Sequence, residues 1–204
     1  MTIAPAPSPD PVILLFAAGA SRRMQGLDKL MQLVGNEALV RRQARAAVAS
    51  GLPVMALVSP EFPARSASLK GLPLAQVTVE NAADGMSASL RAGINALPQD
   101  TPAAIMMLAD MPEIGAGDIA LLTAAWRAAP ARPHRLSTQG GMAGSPVIFP
   151  ARLFDALTQL QGDVGGKSVL EGEDVGLVQC PDNRALVDLD TPEDWAMWRR
   201  LHHM

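Results

Sequence analysis

The residues best suited to chemistry follow the first apolar run of the chain, Val12–Phe16. Ala17, Ala18 and Gly19 keep side-chain bulk away from the backbone, so successive N–H groups can approach an anion closely. One hydroxyl and three positive charges then follow within a few residues, at Ser21, Arg22, Arg23 and Lys29. The sequence therefore predicts a loop that holds a polyphosphate. The spacing fits neither the dinucleotide fingerprint nor the P-loop, and the alternative is an ordinary turn with solvated arginines.

A second polar loop, residues 81–91, follows the predicted strand at 74–80 and opens a helix. Gly85 can adopt a positive φ at the turn between them. Ser87 or Ser89, together with the free N–H groups of the first helical turn, would bind an anion or the edge of a base. The alternative for this loop is a well-capped helix without a ligand.

Three carboxylates stand where strands are predicted to end. Asp110 follows the most apolar run of the chain, residues 103–109. A carboxylate at the end of a central strand projects into the ligand edge, where Mg²⁺ takes one or two carboxylates together with phosphate oxygens. Asp188 and Asp190 alternate in residues 186–190, a predicted strand end, so both should face one way. A role in capping or turn formation is the alternative for Asp110.

Buried strands alternate with helices along the chain. The apolar patterns predict strands at 12–16, 53–58, 74–80, 103–109 and 145–150, and helices at 37–50, 62–69, 86–97, 117–128 and 151–160. This alternation is typical of an α/β fold, in which right-handed crossovers bring the carboxyl ends of parallel strands to one edge. Ligands bind at that edge. Thr191, Pro192 and Asp194 predict a capped start for the last helix.

Composition restricts the class of protein. The 204 residues favour a single domain over residues 12–204, preceded by a disordered Pro/Ala-rich arm at 1–11. A net charge of −3 argues against a nucleic-acid surface, and no apolar run is long enough for a membrane span. The single cysteine, Cys180, excludes an internal disulfide. Without an export signal, the chain is expected in the cytoplasm.

Several motifs resemble those of one family. The run A-A-G-x-S-x-R-M at 17–24, followed by D-K-L at 28–30, resembles the signature loop of the MobA-like nucleotidyltransferases, which include the molybdenum-cofactor cytidylyltransferase and guanylyltransferase. Five further motifs of the chain are similar to motifs of that family: N-x-x-x-G-M-x-x-S-L at 81–90, D-x-P at 110–112, G-x-P-x-x-F at 144–149, G-D-x-G-x-K at 162–167 and D-x-D-T-P-E-D at 188–194. The resemblance implies a three-layer, Rossmann-like nucleotidyltransferase fold with a mostly parallel, mixed central sheet.

The same resemblance implies a role for each matching residue. The implied nucleotide-binding residues are Ala17, Ala18, Gly19, Ser21, Arg23, Lys29, Asn81, Gly85, Met86 and Ser89. The implied catalytic residues are Arg23, Lys29 and Asp110. Mg²⁺ is expected on Asp110 and on Asp190, with Asp188 as the alternative second ligand. The implied acceptor-binding residues are Ser145, Asp163, Lys167 and Asp188, although the family commonly has His where this chain has Ser145, and often has Arg where it has Ala143.

The activity that the resemblance implies is transfer of CMP from CTP to the terminal phosphate of molybdopterin, for a molybdoenzyme client. Such an acceptor is already an anion, so the reaction requires no general base. Ala18 is typical of the cytidine branch, whereas the spacing of residues 24–29 is that of the guanosine branch, so GTP is the alternative nucleotide. Another phosphorylated small molecule is the alternative acceptor. A nucleotide-binding chaperone without catalysis is a further alternative, against which the joint presence of Arg23, Lys29 and Asp110 argues.

Overall fold

The computed structural model describes residues 10–203, so the predicted arm lies outside the described residues except for Asp10 and Pro11. The strands are β1 (Val12–Phe16), β2 (Leu33–Val34), β3 (Glu37–Ala38), β4 (Val54–Val58), β5 (Ala75–Thr78), β6 (Ala103–Leu108), β7 (His134–Ser137), β8 (Ala143–Pro150) and β9 (Gly176–Gln179). The α-helices are α1 (Leu39–Ala49), α2 (Pro63–Ser68), α3 (Met86–Asn95), α4 (Ala116–Ala128), α5 (Phe154–Thr158) and α6 (Pro192–Leu201). No helix among residues 10–203 is long and apolar enough to cross a membrane.

Seven of the strands form one sheet in the order β5-β4-β1-β6-β8-β7-β9, while β2 and β3 pair in a separate two-stranded ribbon. Strands β5, β4, β1 and β6 are parallel neighbours. Strand β8 runs antiparallel to both β6 and β7, and β9 runs parallel to β7. The prediction of a mostly parallel, mixed sheet is therefore confirmed. The ends of β1 and β6 lie side by side, as the register Phe16 to Leu108 requires.

Side chains alternate between the two faces of the sheet and create two apolar cores. Ile13 and Leu15 of β1 pack into the first core, which also holds residues of α1, α4 and α6. Leu14 packs into the second core with residues of α3, α5 and β8. Because β1 is buried on both faces, every residue from Val12 to Leu15 is apolar. The result is a layer of helices on each side of the sheet, which confirms the predicted three-layer arrangement.

The predicted strand at 186–190 is wrong. Arg184–Leu186 instead form a short 3₁₀ turn, and residues 187–190 have no strand partner among the described residues. A single hydrogen bond, from the Leu189 N–H to the Asp110 carbonyl (3.0 Å), fastens this segment to the end of β6. Asp188 is exposed and Asp190 only half-buried. The carboxylates of Asp188 and Asp190 are therefore presented by an extended connection rather than by a sheet.

Four strands and several boundaries differ from the sequence-based expectations, and two of these strands, β2 and β3, form the short separate ribbon. Strands β7 and β9 were not expected, because their residues are polar or lie at the sheet edge. Helix α1 begins two residues later than predicted, since Glu37–Ala38 pair with β2. The predicted helix at 151–160 is a 3₁₀ turn at Ala151–Leu153 followed by the short α5. These differences leave the strands that position the candidate site unchanged.

Candidate active site

A cavity of about 570 Å³ opens where β1 and β6 end, as expected for the ligand edge of such a sheet. Of the residues predicted to form the site, the cavity is lined by Ala18, Gly19, Ser21, Arg23, Lys29, Gly85, Met86, Ser89, Asp110, Asp163 and Asp190. Ala17, Asn81, Ser145, Lys167 and Asp188 are not part of its lining. The two glycine-containing loops and the strand-end carboxylate thus share one cavity.

Lys29 lies between two carboxylates at the base of this cavity. Its Nζ donates hydrogen bonds to Asp110 Oδ2 and to Asp190 Oδ1, the latter at 2.6 Å. Burial acts to lower the pKa of Lys29, but the paired carboxylates of Asp110 and Asp190 outweigh it, so the pKa is raised above its usual value. Lys29 is therefore a fixed positive charge at neutral pH.

Asp110 keeps one oxygen free for a further ligand. Its Oδ1 is buried and has no hydrogen-bond partner within residues 10–203, although a buried carboxylate oxygen is normally paired. Asp190 lies on the other side of the Lys29 ammonium. A strand-end carboxylate with an unpaired oxygen, beside a second carboxylate, is a donor set suited to Mg²⁺ or Mn²⁺. The residues present therefore fit a divalent cation.

Asp190 is held in place by the start of α6. The Asp190 N–H donates to Asp194 Oδ2 (3.2 Å). The Thr191 N–H donates to the same oxygen (2.8 Å), and the Thr191 hydroxyl accepts from the Asp194 N–H (3.2 Å). This reciprocal capping confirms the predicted start of α6. Arg23 Nη2 reaches Asp190 Oδ2 at 2.6 Å, although 71 % of the Arg23 side chain is exposed. Arg23 therefore bridges from the first loop to the start of α6.

The pKa of Asp188 is raised above its usual value. Partial desolvation of its carboxyl group is the largest cause, although the residue as a whole is exposed, and the negative charges of Asp190 and Asp110 add to it. The three carboxylates are thus close enough to repel one another, even though Asp188 does not line the cavity. A positive charge brought to this place would relieve that repulsion.

The start of α3 forms the opposite wall. Gly85 has φ +95°, and a Cβ at that position would lie 2.4 Å from Asp163 Oδ1 and 2.6 Å from the Gly162 carbonyl oxygen. The Ser87 N–H donates to the same Gly162 carbonyl (3.2 Å), so this amide is already used and Ser87 is fully buried. Ser89 and Met86 face the cavity. The close approach at Gly85 brings Asp163 to the cavity edge.

The residues predicted to bind the acceptor are spread over three elements. Ser145 lies near the start of β8, and the antiparallel register of β8 with β6 brings it beside the end of β6. Lys167 is exposed on a 3₁₀ turn, Gly166–Leu170. Gly144 lies so close to the 184–190 segment that a Cβ there would be 2.1 Å from the Ala185 carbonyl oxygen. Of the implied acceptor residues, only Asp163 reaches the cavity.

Arg65 is a site residue that the sequence analysis missed. It belongs to α2, its side chain is 0 % exposed, and it lies behind the first loop. It donates to the carbonyl oxygens of Ala17 and Gly19 at 2.7 and 2.8 Å. Its local sequence, Pro-Ala-Arg-Ser-Ala-Ser, does not predict a buried arginine, because the residues that accept its hydrogen bonds lie more than 35 positions earlier in the chain.

Comparison with known proteins identifies the family of the domain. The model of the MobA-like NTP transferase domain matches residues 13–179. No curated protein matches the sequence.

Solved structures share the fold across most of the chain. The homologue of Mycobacterium tuberculosis Rv0371c from Mycobacterium sp. strain JC1 is 23% identical, with a TM-score of 0.82, over 93% of this chain and 95% of that one. Rv0371c from Mycobacterium tuberculosis H37Rv, in complex with manganese, is 19% identical, with a TM-score of 0.77, over 92% and 97% of the two chains. CMP:2-keto-3-deoxy-manno-octonic acid synthetase, complexed with CTP, is 14% identical, with a TM-score of 0.74, over 95% and 98%.

Proposed function

The chain belongs to the MobA-like NTP transferase family and is a nucleotidyltransferase, and from that premise we propose that it transfers CMP from CTP to the terminal phosphate of molybdopterin. The observation that carries the proposal is the shared cavity, in which an amide-rich loop and Lys29 lie beside the strand-end carboxylate Asp110. An anion-binding loop next to a metal-type carboxylate is what transfer of a nucleotidyl group from a triphosphate requires.

The first loop and Lys29 bind the phosphates in this proposal. The backbone amides of residues 18–21 and the charges of Arg23 and Lys29 stabilise the β- and γ-phosphates as pyrophosphate leaves. Gly85, Met86 and Ser89 line the wall opposite this loop and bind the nucleoside, and Asn81 supports that wall from outside the lining. The choice of CTP is supported by Ala18, a residue of the cavity lining, and by the CTP complex of a structural neighbour.

Asp110 and Asp190 would hold Mg²⁺, because Asp110 Oδ1 lacks a partner among the described residues and Asp190 lies across Lys29 from it. When bound, the ion neutralises negative charge on the phosphoryl oxygens. A structural neighbour is a manganese complex, which supports the choice of a divalent cation.

The chemical step needs positioning rather than proton transfer. An oxygen of the acceptor phosphate forms a bond to the α-phosphorus of CTP, and the bond from that phosphorus to the bridging oxygen of the β-phosphate breaks. The electron pair leaves with pyrophosphate, whose growing charge Lys29 and Arg23 offset. Because the acceptor oxygen is already anionic, this chain requires no histidine or carboxylate as a base.

In this proposal the acceptor is bound by four residues, Ser145, Asp163, Lys167 and Asp188. An anionic acceptor beside a bound triphosphate needs positive charge, since two like charges about 4 Å apart repel by about 4 kcal/mol at an effective dielectric constant of 20. Lys167 is an exposed cation that follows Asp163 closely in the chain, so we propose that its ammonium group binds the phosphate of the acceptor. Lys167→Ala should raise the acceptor KM strongly and leave CTP binding nearly unchanged; an unchanged KM would remove Lys167 from the acceptor site.

The deciding experiment measures pyrophosphate release with CTP, GTP, ATP and UTP, each with and without purified molybdopterin and Mg²⁺. We expect turnover with CTP that depends on molybdopterin, on Mg²⁺ and on Asp110. Preference for GTP would show that the spacing of residues 24–29 is the better guide to the base. Tight CTP binding without any pyrophosphate release would contradict catalysis and favour a binding protein.

A further inference from the structure

Arg65 carries a buried positive charge directly behind the first loop. Its side chain is 0 % exposed, and its guanidinium stacks on the Phe62 ring at 4.0 Å from the centroid. Asp28 is its carboxylate partner, with Nε to Oδ2 at 2.8 Å. Burying a guanidinium is costly unless its charge is paired and its donors are satisfied. The burial and the ion pair therefore fix the guanidinium at one position behind the loop.

Each nitrogen of the guanidinium donates at least one hydrogen bond. Nε donates to Asp28, and Nη1 donates to the carbonyl oxygens of Ala17 and Gly19. Nη2 donates to Ser21 Oγ at 3.0 Å and forms an ion pair with Asp28 Oδ1 at 2.8 Å. Three of the four acceptor groups belong to the loop at 17–21.

The two carbonyl contacts set the direction of the loop amides. Among residues 10–203, the only cis peptide bond joins Ser145 and Pro146, so the loop peptides are trans. In a trans peptide the C=O and the following N–H point in opposite directions. Because Arg65 holds the Ala17 and Gly19 carbonyls on its own side, the N–H groups of Ala18 and Ala20 point away from it. Both of these residues line the cavity.

These amides have no other use in the part of the chain that the structure describes. None of the backbone N–H groups of residues 18–21 donates to a backbone or side-chain acceptor within residues 10–203. Backbone donors away from water are almost always paired, and Ala18 is 1% exposed. A run of unpaired amides beside a cavity is the form of an anion-binding nest.

Ser21 is restricted in the same way. Its φ of +43° lies in the left-handed region, which a non-glycine residue keeps only where its surroundings enforce it. Its oxygen accepts from Arg65 Nη2 and from the Lys29 N–H, the latter at 3.3 Å. Both acceptor positions of the hydroxyl are thus occupied, and its hydrogen remains to be donated. A phosphate oxygen is a suitable acceptor for it.

We propose that Arg65 is a positioning residue for the polyphosphate: it turns the Ala18 and Ala20 amides into the cavity and makes Ser21 a hydrogen-bond donor there. Through Asp28, which also accepts from the Leu30 N–H (3.0 Å), it sets the turn that carries Lys29 relative to the loop. The identity of the ligand as the triphosphate of a nucleotide rests on the proposed function. The geometric claim concerns any polyphosphate.

Calorimetric titration with inorganic tripolyphosphate and with CMP tests this role. Arg65→Lys keeps the charge but cannot reach all four acceptor groups. We expect its Kd for tripolyphosphate to rise about 100-fold, the loss from misdirecting charge-assisted hydrogen bonds, while its Kd for CMP changes less than about threefold. Arg41→Lys is the matched control, since Arg41 also donates to backbone carbonyls, those of Ser68 and Lys70, and neither of these belongs to the loop at 17–21.

Each result decides the proposal. Parent-like binding of tripolyphosphate by Arg65→Lys would overturn it, and so would an equal loss for CMP, which a general disordering of the loop would cause. Should Arg65→Lys not fold, Ser21→Ala takes its place: about a 10-fold weaker tripolyphosphate complex with an unchanged Kd for CMP supports the directed hydroxyl, and unchanged affinity for tripolyphosphate refutes it. Arg65-dependent tripolyphosphate binding without pyrophosphate release from CTP would refute the proposed function alone.

Discussion

Replacing Gly85 by alanine should destabilise the protein and displace the loop that carries Asp163. Gly85 combines φ +95° with ψ −169°, a conformation that is essentially restricted to glycine and costs another residue about 1–3 kcal/mol. The added Cβ would also lie 2.4 Å from Asp163 Oδ1 and 2.6 Å from the Gly162 backbone. Such overpacking typically costs about 1–3 kcal/mol. We therefore expect a loss of about 2–6 kcal/mol in the free energy of unfolding.

Gly172→Ala separates the two contributions to this loss. Gly172 also has a positive φ, +84°, but an added Cβ would meet nothing within 4 Å, so its cost should be about 1–2 kcal/mol. Urea unfolding of both variants and the parent gives the two values, and CTP titration reports whether the cavity wall has moved. Equal losses for the two variants, with unchanged CTP affinity for Gly85→Ala, would refute the idea that the close approach at Gly85 positions Asp163.

Three further predictions concern the site and the core. Asp110→Asn should retain the melting temperature but lower divalent-dependent turnover by at least about 100-fold, because a preorganised charge is lost; activity within a few-fold of the parent would contradict its metal role. Lys29→Ala should weaken CTP binding far more than CMP binding in calorimetry, and equal losses would place Lys29 away from the β- and γ-phosphates. Burial lowers the pKa of His134 below 6.5, so as the pH falls the imidazole is protonated in the unfolded chain before it is protonated in the folded protein. The free energy of unfolding should therefore decrease below that pH, and urea unfolding at several pH values should show a smaller decrease for His134→Phe.

The main strands were predictable because burial on both faces demands continuous apolar runs. Residues 12–16 and 103–108 carry that pattern, and their strands are central in the sheet. Strand β9 lacks the pattern, since it is an edge strand with Leu177 exposed. Its pairing with β7 depends on Gly176, where a Cβ would lie 2.2 Å from the His134 ring. That requirement comes from a residue more than 40 positions away, so no local pattern indicates it.

The site residues that could be predicted from the sequence are those whose own side chains supply the charge that the chemistry needs. Lys29, Asp110 and Asp190 meet in the cavity, as expected for a loop cation and carboxylates of one ligand edge, although the strand predicted before Asp190 does not form. Arg65 was not predictable, because an arginine in a short polar helix is usually solvated. Its role depends on the direction of loop carbonyls, which only the folded backbone defines.

The cavity lining has a consequence for how a nucleotide would arrive. Its ionisable side chains are three cations, Arg22, Arg23 and Lys29, and three carboxylates, Asp110, Asp163 and Asp190. Their charges cancel at a distance, and the chain as a whole carries −3. A polyanion is then not drawn in from bulk solution, and association should proceed at about 10⁵–10⁶ M⁻¹s⁻¹ with little dependence on ionic strength. An association rate constant that falls steeply with added salt in stopped-flow experiments would contradict this. A rate constant that does not change with salt means that the protein selects its ligand only after contact, once the loop amides and the Lys29 ammonium are within hydrogen-bonding distance.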